Sequence, residues 1–238
     1  MKIALIGYGK MGKAIEEIAL QRGHEIVLKV NDENLEDFTK DKVTKADVAI
    51  EFTGPHTAFD NVKNLLEFGV PVVCGSTGWT DRLSEIHDGC KKQKGSFLFA
   101  SNFSVGVNLF FELNKKLAAL MAPHSEYSIV MEETHHTQKK DAPSGTAITL
   151  AEQIQQQIPQ KKKWVNHPST DPAELAIISK REDPAPGTHS IKYYSDIDDI
   201  EIIHTAHNRK GFALGAVLAA EYIKDRKGVF SMSEVLGL

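Results

Sequence analysis

Lys2-Ile3-Ala4-Leu5-Ile6-Gly7-Tyr8-Gly9-Lys10-Met11-Gly12 runs from an almost wholly apolar segment into three spaced glycines. A short apolar run without polar alternation is the pattern of a strand buried on both faces. Apolar residues at helical spacing follow through Ala14, Ile15, Ile18 and Ala19 to Gly23. A second strand, Glu25-Ile26-Val27-Leu28-Lys29-Val30, then closes on Asn31-Asp32. Strand, GxGxxG, helix, strand and acid, in that order, form the dinucleotide fingerprint. Gly7 permits the tight turn, Gly9 lets a pyrophosphate approach the backbone, and Gly12 lets the helix lie close on the strand. Asp32 follows the motif by about 20 residues, where a carboxylate accepts hydrogen bonds from a ribose.

The βα rhythm continues outward from there. Strands are expected over 47–52, 70–74 and 96–100, and helices over 58–68 and 80–92. Strands alternating with helices predict a parallel sheet with right-handed crossovers, whose ligands bind beyond the carboxyl ends of the strands. Thr53-Gly54-Pro55, Gly75-Ser76-Thr77 and Ser101-Asn102-Phe103 all fall at such ends. The link from Asp32 to Asp47 is short and highly charged, and a full helical crossover is not expected there. After Phe103 the pattern changes. A long amphipathic helix is expected over 106–121, with Leu109, Phe110, Leu113, Leu117 and Leu120 on its apolar face. A strand is expected over 127–132, loop over 161–172, and strands over 176–180, 189–194 and 200–206. A last helix over 211–224 offers Phe212, Leu214, Val217, Leu218 and Tyr222 for burial. The fold class expected is α/β: an N-terminal Rossmann-type unit plus an α+β unit with a mixed or antiparallel sheet.

The chemistry is concentrated in Glu132-Glu133-Thr134-His135-His136-Thr137-Gln138-Lys139-Lys140-Asp141-Ala142-Pro143-Ser144-Gly145-Thr146-Ala147. Ser144 or Thr146 suits an N-cap for the helix that follows. Backbone N–H groups at such a start, with the positive end of the helix dipole, seat a carboxylate or phosphate. Histidine beside it can move a proton, and lysine can hold negative charge.

The 238 residues are 41% hydrophobic and 25% charged, with a net charge of −4. That balance argues against nucleic-acid binding by phosphate neutralisation. The two cysteines, Cys74 and Cys90, have no CxxC spacing, so no disulfide framework and no metal centre are expected. With no signal-like or membrane-spanning apolar run, the expected location is cytoplasmic, with no membrane partner.

The segment His135-His136-x-x-Lys139-x-Asp141-Ala142-Pro143-Ser144-Gly145-Thr146-Ala147 resembles the signature of the dihydrodipicolinate reductase family. Gly75-Ser76-Thr77-Gly78 and Ser101-Asn102-Phe103-Ser104-Val105-Gly106 are similar to further family motifs, in the same order. The resemblance implies a homotetrameric, nicotinamide-dependent reductase of 4-hydroxy-tetrahydrodipicolinate, in lysine biosynthesis through diaminopimelate. It implies a Rossmann domain built from 1–103 and 210–238, and a substrate-binding and oligomerisation domain over 104–209. It makes His135 the general acid/base and Lys139 the proton donor. His136, Gly145 and Thr146 would bind the dicarboxylate substrate. Gly7, Gly9, Lys10, Met11, Gly12, Asp32, Gly75, Ser76, Thr77, Ala100, Ser101, Asn102 and Phe103 would line the cofactor. Arg209 is similar to a family arginine near the substrate. Many relatives carry an arginine after the ribose acid; here Glu33 follows Asp32. Two carboxylates repel a 2′-phosphate, so NADH is the expected cofactor, with NADPH possible because Lys10 offsets part of the repulsion.

Three other readings compete. One is a metal hydrolase using His135, His136 and His124 with Glu132 or Glu133, but no HExxH-type spacing is present. The second is a non-catalytic NAD-binding regulator. The third is a dehydrogenase of aspartate or homoserine type, because fold alone does not determine substrate.

Overall fold

The structure, a computed structural model, describes residues 1–208 and 210–238. Arg209 lies outside the described residues. In chain order the elements are β1 (Lys2–Ile6), α1 (Lys10–Gln21), β2 (Glu25–Val30), α2 (Lys40–Val43), β3 (Val48–Glu51), α3 (Ala58–Glu67), β4 (Val72–Cys74), α4 (Leu83–Lys92) and β5 (Ser96–Phe99). There follow α5 (Val105–Met121), β6 (Ser128–His135), α6 (Gly145–Gln157), β7 (Lys163–Val165), β8 (Glu174–Arg181), β9 (Thr188–Tyr194), β10 (Asp199–Thr205), α7 (Lys210–Ile223), β11 (Gly228–Phe230) and α8 (Met232–Leu236). They form two compact units, Met1–Val105 with Arg209–Leu238, and Gly106–Asn208.

The first unit holds a six-stranded parallel sheet in the order β11-β5-β4-β3-β1-β2. Its central strands are buried on both faces, which is why they read as apolar runs. Ile15, Ala19, Ala216, Val217 and Ala220 from α1 and α7 cover one face. Val62, Leu65, Ile86 and Cys90 from α3 and α4 cover the other. Between β2 and β3 stand only a 3₁₀ turn, Leu35–Asp37, and the single-turn α2, in place of a full crossover helix.

Two features of this unit differ from expectation. The pairing of β11 with β5 and the capped helix α8 carry no strong sequence pattern and were not anticipated. In α7 the large residues Phe212, Leu214, Leu218 and Tyr222 are only partly buried; the packed residues are Ala213, Gly215, Ala216, Val217, Ala219, Ala220 and Ile223. Small side chains win because the helix backbone approaches its neighbours closely.

The second unit holds a five-stranded mixed sheet in the order β10-β9-β6-β8-β7. β10/β9 and β9/β6 pair antiparallel; β6/β8 and β8/β7 pair parallel. β7 occupies part of the segment expected to be loop. It is a three-residue edge strand, too short to show alternation. α5 turns a different stripe inward than its leucines suggest. Val107, Phe110, Asn114, Ala118 and Met121 are buried, whereas Leu109, Leu113 and Leu120 are 49%, 49% and 71% exposed. The Asn114 side-chain N–H₂ donates to Leu150 O (3.1 Å) and Gln153 Oε1 (3.0 Å), which accommodates its donor half in this interior, while its Oδ1 is buried without a hydrogen-bond partner among the described residues. No helix among the described residues is long and apolar enough to cross a membrane.

Candidate functional site

Each unit carries one candidate site. In the first, strand register builds a straight edge. Val30, Ile6, Glu51, Cys74 and Phe99 pair in one row across β2, β1, β3, β4 and β5. The residues just beyond that row, Asn31, Gly7, Phe52, Gly75 and Ala100, therefore begin the loops at the carboxyl edge. The chain reverses its direction of travel across the sheet between β1 and β3, the position where open α/β sheets bind ligands.

A cavity of about 620 Å³ opens at this switch point. Gly7, Tyr8, Gly9, Asp32, Glu33 and Phe52–Thr57 are among its lining residues. Gly7 has φ +97°, and a Cβ there would lie 2.3 Å from Phe52 O. A Cβ on Gly12 would lie 2.4 Å from Gly7 O, so this glycine lets α1 close on the turn. Among the described residues no side chain caps α1, and its first turn holds no acid. A helix start of this kind accepts a phosphate, and the cradle fits a dinucleotide.

The other expected cofactor residues do not line this cavity. Lys10 is exposed at the first position of α1, and Met11 packs partly into the core. Gly75 lies where a Cβ would meet the Phe52 ring at 2.1 Å. Ser76 is buried and its carbonyl accepts Trp79 Nε1–H at 2.7 Å; Thr77 is exposed. Ala100 and Asn102 are half-buried, Ser101 is exposed, and Phe103 is buried with its ring 5.6 Å from that of Phe52. His56, which had no expected role, lines the cavity, as do Thr57 and Asn61.

In the second unit, β6 places Ile129, Met131, Glu133 and His135 on its buried face. The first two enter the apolar core; the last two bring charge to its end. Register surrounds them with polar partners: Glu133 pairs with Ser179 on β8 and His189 on β9, and His135 pairs with Arg181. Glu133 is fully buried. It accepts the Ser144 N–H at 3.1 and 3.0 Å, Ser179 Oγ–H at 2.8 Å and Arg181 Nη2–H at 3.1 Å. Burial pushes its carboxyl up, but these bonds outweigh burial and hold it below the usual carboxylate range.

His135 is 8% exposed. Burial holds its imidazole below the ordinary histidine value; Glu133 opposes this, while Lys139 and Arg181 add to it. His189, with its ring 5.0 Å from that of His135, is pushed down to about 4, by burial first and then by His135. The Lys139 ammonium sits 2.8 and 2.9 Å from the Asp141 carboxylate oxygens, with its side chain 23% exposed. Arg181 donates to the carbonyls of Asp141 (2.6 Å) and Lys139 (3.4 Å), which ties this loop to the sheet. Ser144 caps α6, its Oγ accepting Ala147 N–H at 3.2 Å. His136 and Thr146 are half-buried, and Gly145 is exposed.

The structure thus gathers His135, Lys139 and the α6 start in one unit, together with Glu133, Arg181 and His189. Sequence reading named Glu133 only as a metal ligand and did not name the other two. Atoms of Glu133, His135 and His189 lie within 4.8 Å of one another, a spacing that could hold a metal ion. Arg181 already supplies positive charge to that carboxylate.

Residues 1–103 match the family model described as dihydrodipicolinate reductase, N-terminus, and residues 106–236 match the C-terminus model. The 4-hydroxy-tetrahydrodipicolinate reductase of Christiangramia forsetii is 51% identical over 240 residues, covering 99% of this chain and 98% of that protein. The enzyme of the same name from Methanosarcina acetivorans is 36% identical over 241 residues, covering 99% and 89%. The fold is similar to that of dipicolinate-bound dihydrodipicolinate reductase from Paenisporosarcina sp. TG-14, with a TM-score of 0.76, 24% identity and 98% of each chain covered.

Proposed function

The chain belongs to the dihydrodipicolinate reductase family, and we propose that within it Lys139 donates the proton while a neutral His135 orients the substrate. The protein is an NAD(P)H-dependent oxidoreductase that reduces 4-hydroxy-tetrahydrodipicolinate to tetrahydrodipicolinate on the diaminopimelate route to lysine. Loss of water from the substrate gives a conjugated C=C–C=N system. Bound NAD(P)H supplies the hydride for its far carbon. The enamine that results needs a proton on the adjacent carbon, and the Lys139 ammonium provides it. One observation carries this division of roles: burial disfavours the protonated form of His135, leaving Lys139 as the partly exposed cation of the pair. Backbone N–H groups of Gly145 and Thr146 at the start of α6 seat one substrate carboxylate, and His136 helps orient the other.

The nucleotide domain is assigned to 1–103 with 210–238, the substrate domain to 104–209, and the protein to the cytoplasm, where buried free thiols such as Cys74 and Cys90 stay reduced. Asp32 and Glu33 both line the cavity, which supports a preference for NADH. The substrate is unstable, so it is made in place from pyruvate and aspartate semialdehyde with the preceding synthase. Oxidation of NADH is then expected to outpace that of NADPH. Asp32→Ala should weaken NADH by about 10- to 100-fold, as for a lost hydrogen bond to a charged group, and NADPH by less. The reverse ranking would remove Asp32 from the ribose.

A homotetramer completes the reading. Leu109, Leu113 and Leu120, at helical spacing on α5, and Tyr194, Ile197, Ile200 and Ile203, within β9, β10 and their connection, are all exposed in the second unit, which supports burial of these faces against other copies of the chain. Light scattering should give four times the 26.3 kDa of one chain. Leu113→Glu should shift the mass downward; an unchanged tetramer would take α5 out of the interface.

A further inference from the structure

Resting on the roles given to His135 and Lys139, we propose that Glu133 is a positioning residue. In this role it sets the tautomer of His135 and locks that side chain to the Lys139 loop and the α6 start. A buried carboxylate is costly unless its oxygens are hydrogen-bonded. Here the bonds are unevenly divided. Oε1 accepts from Ser144 N, Ser179 Oγ and Arg181 Nη2, whereas Oε2 accepts from Ser144 N alone. Oε2 faces two imidazoles, with His135 Nδ1 at 3.5 Å and His189 Nε2 at 3.7 Å. His135 Nδ1 is buried and makes no hydrogen bond to another described residue. A buried ring nitrogen in that position is best served by carrying the proton toward the carboxylate. Such bonds are often long before substrate binds and tighten in the complex. With the proton on Nδ1, Nε2 keeps its lone pair. A Cβ at Gly187 would stand 3.1 Å from Nε2, so glycine keeps that edge of the ring uncrowded.

The same carboxylate joins three parts of the site. Register puts Glu133 two residues before His135 on one face of β6, with Ser179 and Arg181 spaced identically on β8. Arg181 carries the connection onward to the carbonyls of Lys139 and Asp141. The Ser144 N–H carries it to the residue that caps α6, whose Oγ also lies 3.1 Å from His189 Nε2. Glutamine at position 133 keeps the size but removes the charge and turns an N–H₂ toward one set of donors.

The test combines kinetics with nitrogen NMR of the full-length enzyme. Glu133→Gln is expected to lower kcat by about 100-fold, the scale of a lost acid–base alignment, with the KM for NADH within twofold of the parent. Imidazole ¹⁵N shifts should show Nδ1–H for His135 in the parent and a mixture of tautomers in the variant. Should Glu133→Gln fail to fold, the parent spectrum still decides, since an Nε2–H tautomer there overturns the proposal. Parental kcat in a folded Glu133→Gln also overturns it. His135→Ala and Lys139→Ala are run alongside. If these keep parental turnover, the assigned roles fail; if they lose it while Glu133→Gln does not, only the positioning role fails.

Discussion

Lys139→Ala is expected to lower kcat by about 100- to 10,000-fold, the usual contribution of a positioned proton donor, while NADH still binds. The proton must come from a group that is charged, close to the seated substrate and able to be recharged. Lys139 meets the first and last conditions because its ammonium is paired with Asp141 and partly exposed. Arg181 serves the second by bonding the carbonyls of Lys139 and Asp141, which holds this loop against the sheet. His135 is buried, so charging it costs desolvation. His135→Ala should also lose most of kcat, through orientation. Lys139→Arg should not rescue, because a guanidinium does not release its proton in a protein. Steady-state rates in the coupled assay and NADH fluorescence titration check this. Parental turnover in both alanine variants would show that the roles are misassigned.

The glycine turn of the first candidate site was legible because its signals are local, whereas the residues expected from 75–77 and 100–103 do not line the cavity. Gly7, Gly9, Gly12 and Asp32 lie in one continuous βαβ stretch, each for a steric or hydrogen-bonding reason that the stretch itself shows. His135, Lys139 and Ser144 were legible for the same reason, as one run leading into a helix. Arg181 and His189 were not, because strand register between β6, β8 and β9 brings them to Glu133, and register is a property of the folded sheet. The leucines of α5 misled in another way. Apolar spacing marks a face that avoids water, and here Leu109, Leu113 and Leu120 point away from the core of their own unit. The alanine-rich face of α7 was hidden because hydrophobic reading favours size, whereas close backbone approach favours its absence.

That approach has a large measurable consequence. Gly215→Ala is expected to destabilise the protein by about 3 kcal/mol or more, at the upper end for overpacking. A Cβ there would lie 1.7 Å from Phe103 O and 2.7 Å from Phe103 C. Both are backbone atoms, so no rotamer change relieves the clash; α7 or the loop after β5 must move. For a chain of this size, that cost corresponds to roughly 6–12 °C in Tm. Phe103 ends the expected cofactor segment Ala100–Phe103, so surviving protein should also bind NADH more weakly. Gly89→Ala is the matched control. It lies inside α4, where a Cβ meets nothing within 4 Å, and alanine there should raise stability by about 0.5–1 kcal/mol. Thermal unfolding of the two variants beside the parent checks both signs. If Gly215→Ala melted with the parent, α7 could not be seated on Phe103 as described.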